Sequence, residues 1–359
     1  MVKPNDPMKI ELLAHEALRQ LLEQVPALEQ LEVQPQMTGA DNGIDLVARM
    51  HVHGRPHTLL CQVKSSGQPR HVRMALLELR SVVGHRAKDT TPVLIAPYLS
   101  PDGQALCRDQ GIGFLDLEGN ARLTFDSVFI ERQVPNKPIA ERRVLRSLFK
   151  PKSAQVLRVL LADPSRPWRV TELAEAAGVS LGHINNVRTG LLNREWAQVA
   201  KEGLFLSDPD GLLDEWRDAY EPPTGACKAF YTVLHGSTLD DALRRAAPAQ
   251  TSAGRTALAS FSAAQWLAPY GRTGIQYFYA NAAGLEHLKT ALKLSSVSKG
   301  GNVEVTLLDD PGLFLDTVEP AAGVVCTSPV QTYLDLAAAG ERGREAADHL
   351  RQERLKWHE

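Results

Sequence analysis

A chain of 359 residues with a formal net charge of −2 is too long for one ordinary domain and is no polycation, so any nucleic-acid site has to be a local patch. Hydrophobic residues make up 43% and charged residues 23%, the balance of a folded globular protein rather than a disordered chain. The four cysteines, Cys61, Cys107, Cys227 and Cys326, are too scattered for a zinc knuckle or a redox pair, and the expectation is small buried apolar residues in a reducing compartment.

The N-terminal stretch "MVKPNDPMKIELLAHEAL" has no apolar core of signal-peptide length. No run of about 18 apolar residues follows, so no membrane span and a cytoplasmic location are expected. "MKIELLAHEALRQLLEQV" reads as a helix with Ile10, Leu13, Ala14, Ala17, Leu21 and Val25 on one face. "GIDLVARMHVHGRPHTLLCQVKSSG" (43–67) then reads as two strands, the first beginning on Asp45, joined by "HVHGRPH". "VRMALLELRSVVGHR" is a helix, "TPVLIAPY" a buried strand, and "SPDGQALCRDQG" a helix capped by Ser100 with Pro101 in its first turn. "IGFLDLEGNARLTF" closes this segment with short strands around a turn. The resulting order over 1–134 is an α/β pattern around a small central sheet.

Residues 135–152 read as a basic linker containing a short helix, with Lys137, Arg142, Arg143, Arg146, Lys150 and Lys152 against the single acid Glu141. Residues 153–222 read as three helices, two short strands and a helix, ending at "EPPTG". Residues 225–359 form a C-terminal α+β segment with strands such as "GIQYFYA" and "NVEVTLL" and a charged helix over 330–357.

The 43–67 hairpin carries the first chemical signal. Side chains repeat every two residues along a strand, so Gln62 and Lys64 point the same way and Asp45 can face them. An acid, an amide oxygen and an ammonium group converging on one point suit divalent-metal phosphodiester hydrolysis. Asp45 and Gln62 would hold Mg²⁺ through oxygen, and Lys64 would orient water or stabilise charge. The pattern resembles the PD-(D/E)xK restriction-endonuclease-like fold in its Mrr-like variant, with glutamine in place of the second acid. That resemblance covers about a third of the chain and implies a glutamate from the first helix. Glu11 and Glu16 are the candidates, and Glu11 lies nearer the edge of the apolar stripe. The other reading is a scaffold without metal, in which Lys64 meets a phosphate as a point charge.

"RVTELAEAAGVSLGHINNVRTGLLNREWAQV" (169–199) carries the second signal. Thr171 is expected to cap a helix running through Ala177, Gly178 to take the left-handed turn, and Ser180 to start a second helix with Ile184, Val187 and Leu191 buried. That spacing is a helix-turn-helix, and "AQVAKEGLFLSDP" adds a wing with Lys201 near its tip. The outward side of the second helix offers Ser180, His183, Asn185, Asn186, Arg188 and Thr189 to DNA, while Arg142, Arg143 and Arg146 could track the backbone. The acids of 208–221 are expected to repel DNA from one side. A winged helix that docks protein, and a linker that is only a solvated face, are the alternatives.

"FLDLEGNARL", the winged helix, "ALASFSAAQWLAPY" and "TSPVQTYLDLAAAGERGREAADHLR" together resemble the AbiEi-class antitoxins and transcriptional regulators of type IV toxin–antitoxin systems. The resemblance implies duplex DNA as a partner, a possible homodimer, and a toxin or other protein bound through 225–359. A nuclease-like segment precedes the winged helix here, where the resembled antitoxins begin with it. Two functions therefore stand: a DNA-reading regulator or antitoxin, and a Mg²⁺-dependent endonuclease targeted by its winged helix.

Overall fold

The computed structural model describes residues 7–36, 43–83, 89–135, 137–246, 254–271, 273–308 and 310–357. Ala40, Asp41 and Asn42 at the start of the nuclease-like motif, and Asn136 of the linker, lie outside the described residues. The chain divides into two compact units, Met1–Arg143 with Leu192–Glu195, and Val144–Leu191 with Trp196–Glu359.

The first unit is built on α1 (Pro7–Glu23), β1 (Leu28–Pro35), β2 (Leu46–Val52), β3 (Arg55–Val63), α2 (Pro69–Val83), β4 (Thr90–Ala96), α3 (Pro101–Asp109), β5 (Gly113–Asp116), β6 (Ala121–Phe125) and β7 (Val128–Arg132). The strands form one seven-stranded sheet in sequence order, with β3, β4 and β5 mutually parallel and the other neighbours antiparallel. The β2–β3 turn is tighter than expected. Val52 already pairs with Arg55, leaving only His53 (φ 47°) and Gly54 (φ 78°) in the loop. Two successive left-handed residues match the twist of the flanking strands.

Alternation along β2 and β3 serves two cores. Leu46, Ala48, Met50, Leu59 and Cys61 face one side with Ala14, Leu18 and Leu22 of α1. Val47 and Leu60 face the other with Val72, Ala75, Leu76 and Leu79 of α2. So α1 and α2 lie on opposite faces of the sheet. Ser100 caps α3 by accepting from the Gly103 N–H, with Pro101 in the first turn, as expected from sequence. Strand β1 was not expected. It is polar and largely exposed, with a bulge between Glu29 and Glu32 where Gln30 takes φ 53°, so it carries no alternating apolar signal.

The expected short helix of the linker is α4 (Ile139–Leu148), ten residues long with Leu145 and Leu148 buried. Beyond it the second unit begins with α5 (Pro151–Ala162), α6 (Val170–Ala177), α7 (Leu181–Asn193), β8 (Ala197–Val199), β9 (Leu204–Leu206) and α8 (Pro209–Asp218). Then come β10 (Ala226–Tyr231), α9 (Gly236–Ala246), β11 (Thr256–Leu258), α10 (Ser260–Leu267), β12 (Gln276–Ala280), α11 (Ala282–Ala291), β13 (Ser295–Ser296), β14 (Val303–Leu307), β15 (Val318–Ala321), β16 (Val324–Cys326), α12 (Pro329–Ala337) and α13 (Glu341–Arg354). Strands β10 to β16 form a second mixed seven-stranded sheet.

The single charged helix expected over 330–357 is two helices. Gly340 at φ 81° breaks it, a conformation that costs glycine little. Nearly all of α12 is buried, and the charges belong to α13. Three cysteines are buried as expected, and burial pushes the Cys107 and Cys326 thiols up to about 12. Cys227 departs from the expectation and is exposed on β10.

A seam of buried polar groups ties α5 and α8 to the C-terminal helices. Arg158 is 4% exposed and its Nε donates to both Asp316 carboxylate oxygens, at 2.8 and 3.0 Å. Its Nη2 donates to the Gly312 carbonyl at 3.0 Å. Asp335 accepts from Tyr220, Tyr279 and Gln331 at 2.5, 3.0 and 3.0 Å, and burial pushes its carboxyl up to about 6. Removing one partner of a buried ion pair strands the other charge in a medium that solvates it poorly. Asp316→Ala is therefore expected to destabilise the second unit by about 3 kcal/mol in urea melts of the full chain. A loss under about 0.5 kcal/mol would mean the pair behaves like an exposed one.

Candidate functional site

In the first unit Asp45, Gln62 and Lys64 sit at the same end of the hairpin. Leu46 pairs with Cys61, which brings Asp45, just before β2, level with Gln62. The Asp45 N–H donates to the Cys61 carbonyl at 2.9 Å, and Asp45 Oδ2 accepts the Val63 N–H at 2.6 Å. Lys64 leaves the end of β3 with its N–H on the Ile95 carbonyl at 2.8 Å. Gln62 is 2% exposed.

The acid that meets Gln62 and Lys64 is Glu78 of α2. One of its carboxylate oxygens, Oε2, accepts from Gln62 Nε2 at 2.5 Å and from Lys64 Nζ at 2.7 Å. Glu11 is a correction: it is exposed on α1, and α1 packs on the sheet face opposite α2, so the structure does not bring it to Asp45. Glu16, on the same helix, is paired with Arg19 at 3.1 Å. Sequence offered one signal for Glu78, an acid flanking the apolar stripe of the helix that follows β3, three residues after buried Ala75. Gly43 also went unremarked. It sits at φ 62°, and a Cβ there would lie 3.1 Å from Gln62 Nε2 and 3.9 Å from Glu78 Oε2, so the backbone passes close over the cluster.

The two carboxylates have opposite electrostatic settings. Desolvation raises the Asp45 pKa above its ordinary value, against the Val63 hydrogen bond and the nearby Lys64 charge. The Lys64 hydrogen bond lowers that of Glu78. Oxygen donors are present in a set that suits a hard divalent ion: the Asp45 and Glu78 carboxylates, and Gln62 Oε1, which is buried with no hydrogen-bond partner among the described residues. No group of three or more His, Cys, Asp or Glu side chains converges among the described residues, so an ion held here would keep several waters.

The second candidate surface lies on α7. Gly178 takes φ 63° and its N–H reaches the Glu175 carbonyl at 3.1 Å, ending α6 as expected. The expected Thr171 cap is a correction, because α6 starts at Val170, two residues earlier than that cap implies, and Arg169 occupies the cap position without a side-chain hydrogen bond. Ser180 precedes α7 and accepts the His183 N–H at 3.3 Å. Ile184, Val187 and Leu191 are buried, which leaves Ser180, Asn185, Asn186 and Thr189 exposed and Arg188 half-buried. His183 is held inward, with Nε2 3.1 Å from Ser153 Oγ on α5, and does not join the exposed set. The Thr189 hydroxyl donates to the Asn185 carbonyl at 2.9 Å.

Lys201 and Glu202 form the two-residue tip between β8 and β9, closed by Ala200 N–H to the Gly203 carbonyl at 2.9 Å, so a charge of each sign is exposed there. Arg142 and Arg143 are exposed on α4, and Arg146 lies 3.5 Å from Glu221. The acidic run 208–221 is not the free repelling face expected. Arg351 of α13 contacts Asp210 and Asp214 at 2.6 Å each, and Arg217 contacts Asp214 at 2.9 Å and Asp218 at 3.0 Å. Asp210 and Asp214 hold α8 to the C-terminal helix.

Residues 205–356 match the family described as transcriptional regulator, AbiEi antitoxin, type IV TA system. No curated protein matches the chain. A solved structure of the MspJI restriction endonuclease in complex with a 27-mer oligonucleotide aligns at 18% identity over 30% of this chain, with a TM-score of 0.22. This chain spans 24% of that one, and a likeness of that size bears no weight for the fold. Among the described residues no helix is long and apolar enough to cross a membrane.

A carboxylate whose folded pKa is raised adds stability when protonated, below the ordinary carboxylate range, and loses that contribution as pH rises through the folded value. Asp45→Asn keeps an acceptor for the Val63 N–H and removes the desolvated charge. The variant is expected to melt higher than the parent at pH 7 without metal, with the gap closing as pH falls into the carboxylate range. A lower melting temperature at pH 7 would contradict this assignment of the charge cost.

Proposed function

We propose that the protein is a DNA-binding regulator of the antitoxin type, reading duplex DNA with a winged helix-turn-helix over residues 153–222. The observation that carries the reading is α7, whose buried stripe of Ile184, Val187 and Leu191 leaves Asn185 and Asn186 exposed and Arg188 half-buried. Asparagine pairs bidentately with adenine and arginine with guanine in the major groove. The match of residues 205–356 to an antitoxin and regulator family supports the regulatory role, and a toxin is the protein partner that follows from it. A homodimer fits this reading, since paired half-sites gain from a high effective concentration. Arg142 and Arg143 add charge that tracks the phosphate backbone.

Asn185→Ala and Arg188→Ala are expected to relax sequence preference, each costing about 1–3 kcal/mol at its base. Arg142→Ala combined with Arg143→Ala is expected to weaken all sequences alike and reduce the log–log salt slope by about 1 per lost phosphate contact. Fluorescence anisotropy across a salt series separates the two effects. Unchanged sequence preference in both α7 variants would reject the recognition-helix reading.

A second reading rests on Glu78. Its hydrogen bonds to Gln62 and Lys64, with Asp45 level with Gln62, offer the second acid that the Mrr-like pattern lacks and favour metal-dependent phosphodiester hydrolysis by a PD-(D/E)xK-like domain. Asp45, Glu78 and Gln62 Oε1 would hold Mg²⁺, which when bound would polarise the phosphate and acidify a water. Lys64, fixed by Glu78, supplies positive charge where the leaving oxyanion develops. On this reading plasmid is nicked with Mg²⁺ or Mn²⁺, while Glu78→Gln, Asp45→Ala and chelator each abolish nicking. Cutting that survives all three would place the activity elsewhere, and no cutting of duplex, single-stranded or branched DNA would leave the regulator reading alone.

A further inference from the structure

The second unit carries a half-open chamber of about 410 Å³ whose lining includes no residue of α7 or of the Asp45 cluster. That volume lies within the range of small-molecule sites, roughly 300–1,000 Å³. One wall is aromatic: Phe149 and Trp216 stack with ring centroids 5.7 Å apart and planes within 4° of parallel. Pro151, Pro222 and Pro223 supply further apolar lining without flexible side chains. Flat, stiff walls favour a flat occupant, because little side-chain freedom is lost on binding.

The polar lining is selective in a different way. Arg158, Tyr220 and Gln331 line the chamber, but each is engaged with protein partners. Gln155 also lines it and is not engaged. It is 3% exposed, and neither its amide nitrogen nor its amide oxygen has a hydrogen-bond partner among the described residues. Folded proteins keep few such groups, because an unpaired buried amide forfeits its bonds to water. The amide rests over Gly312, where a Cβ would come within 1.3 Å of Nε2, so only glycine leaves it this space. Gln155 lines the chamber, so its unpaired amide is a polar group there without a protein partner among the described residues.

We infer that this chamber binds a small planar heterocycle presenting a hydrogen-bond donor and acceptor side by side, an edge of the kind found on nucleobases and ring amides. A carboxamide offers one donor edge and one acceptor edge in one plane and pairs with such a ring through two bonds. Phe149 and Trp216 cover the ring face, and Gln155 reads the edge.

The test uses the full chain, with adenosine, uridine and nicotinamide as probes and toluene as an apolar ring of similar width, followed by saturation-transfer NMR and calorimetry. At least one heterocycle is expected to bind saturably with a Kd under about 1 mM and more tightly than toluene. Gln155→Leu keeps the side chain's bulk, removes both unpaired atoms, and is expected to melt no lower than the parent while weakening the heterocycle by roughly tenfold or more. Ala154→Phe, which fills the chamber from α5, is expected to abolish binding by a route independent of Gln155. No binding of any heterocycle, toluene binding as tightly as the best of them, or undiminished binding in Gln155→Leu would overturn the inference.

Discussion

A two-residue turn at His53 and Gly54 sets the register on which the first unit depends. It pairs Leu46 with Cys61 and brings Asp45 level with Gln62. It also sends Leu46, Ala48 and Leu59 to the core under α1, and Val47 and Leu60 to the core under α2. A slip of one residue would exchange these faces, burying Gln62 under α1 and carrying Leu59 and Cys61 to the α2 side. One local geometry therefore fixes both hydrophobic layers and sets Asp45 and Gln62 side by side, where Glu78 reaches Gln62 and Lys64. Desolvation there raises the Asp45 pKa.

The second unit is organised by buried charge rather than by one register. Arg158 on α5 reaches Asp316, Gly312 and Gln331, and Tyr220 beyond α8 reaches Asp335 on α12. Arg351 on α13 gathers Asp210 and Asp214 from α8. The helices that follow the basic stretch thus share one compact unit with the C-terminal sheet. A cut near residue 222 would leave Arg158 without Asp316 and α8 without Arg351. In the same unit α7 contacts α5 through Ser153 and His183.

Much of this was legible in the sequence wherever one residue type has one physical use. Alternation marked the hairpin, Ser100 and Pro101 marked the start of α3, and Gly178 marked the end of α6. The stripe Ile184, Val187, Leu191 fixed which side of α7 is free. What sequence could not supply was which helix covers which face of the sheet. Glu11 and Glu78 both flank apolar stripes, and only the packing of α1 and α2 on opposite faces separates them. Strand β1 escaped because a bulged, polar strand lacks period-two patterning. The helix break at Gly340 sat inside an alanine-rich helical pattern, and the acids of 208–221 read as a free charge run because their partner Arg351 lies more than a hundred residues away. His183 looked available until Ser153 of α5 claimed its ring nitrogen.

The proposed reading of DNA rests on Asn185 and Asn186, exposed on α7, with half-buried Arg188 on the same helix. Selection of binding sites from a randomised duplex pool by the full chain, without divalent metal, tests that reading most directly. The account predicts enrichment of one discrete motif, and a changed base preference at one position of it when the selection is repeated with Arg188→Ala. Enrichment of no motif, or recovery of the same motif at every position by the Arg188→Ala chain, would contradict it.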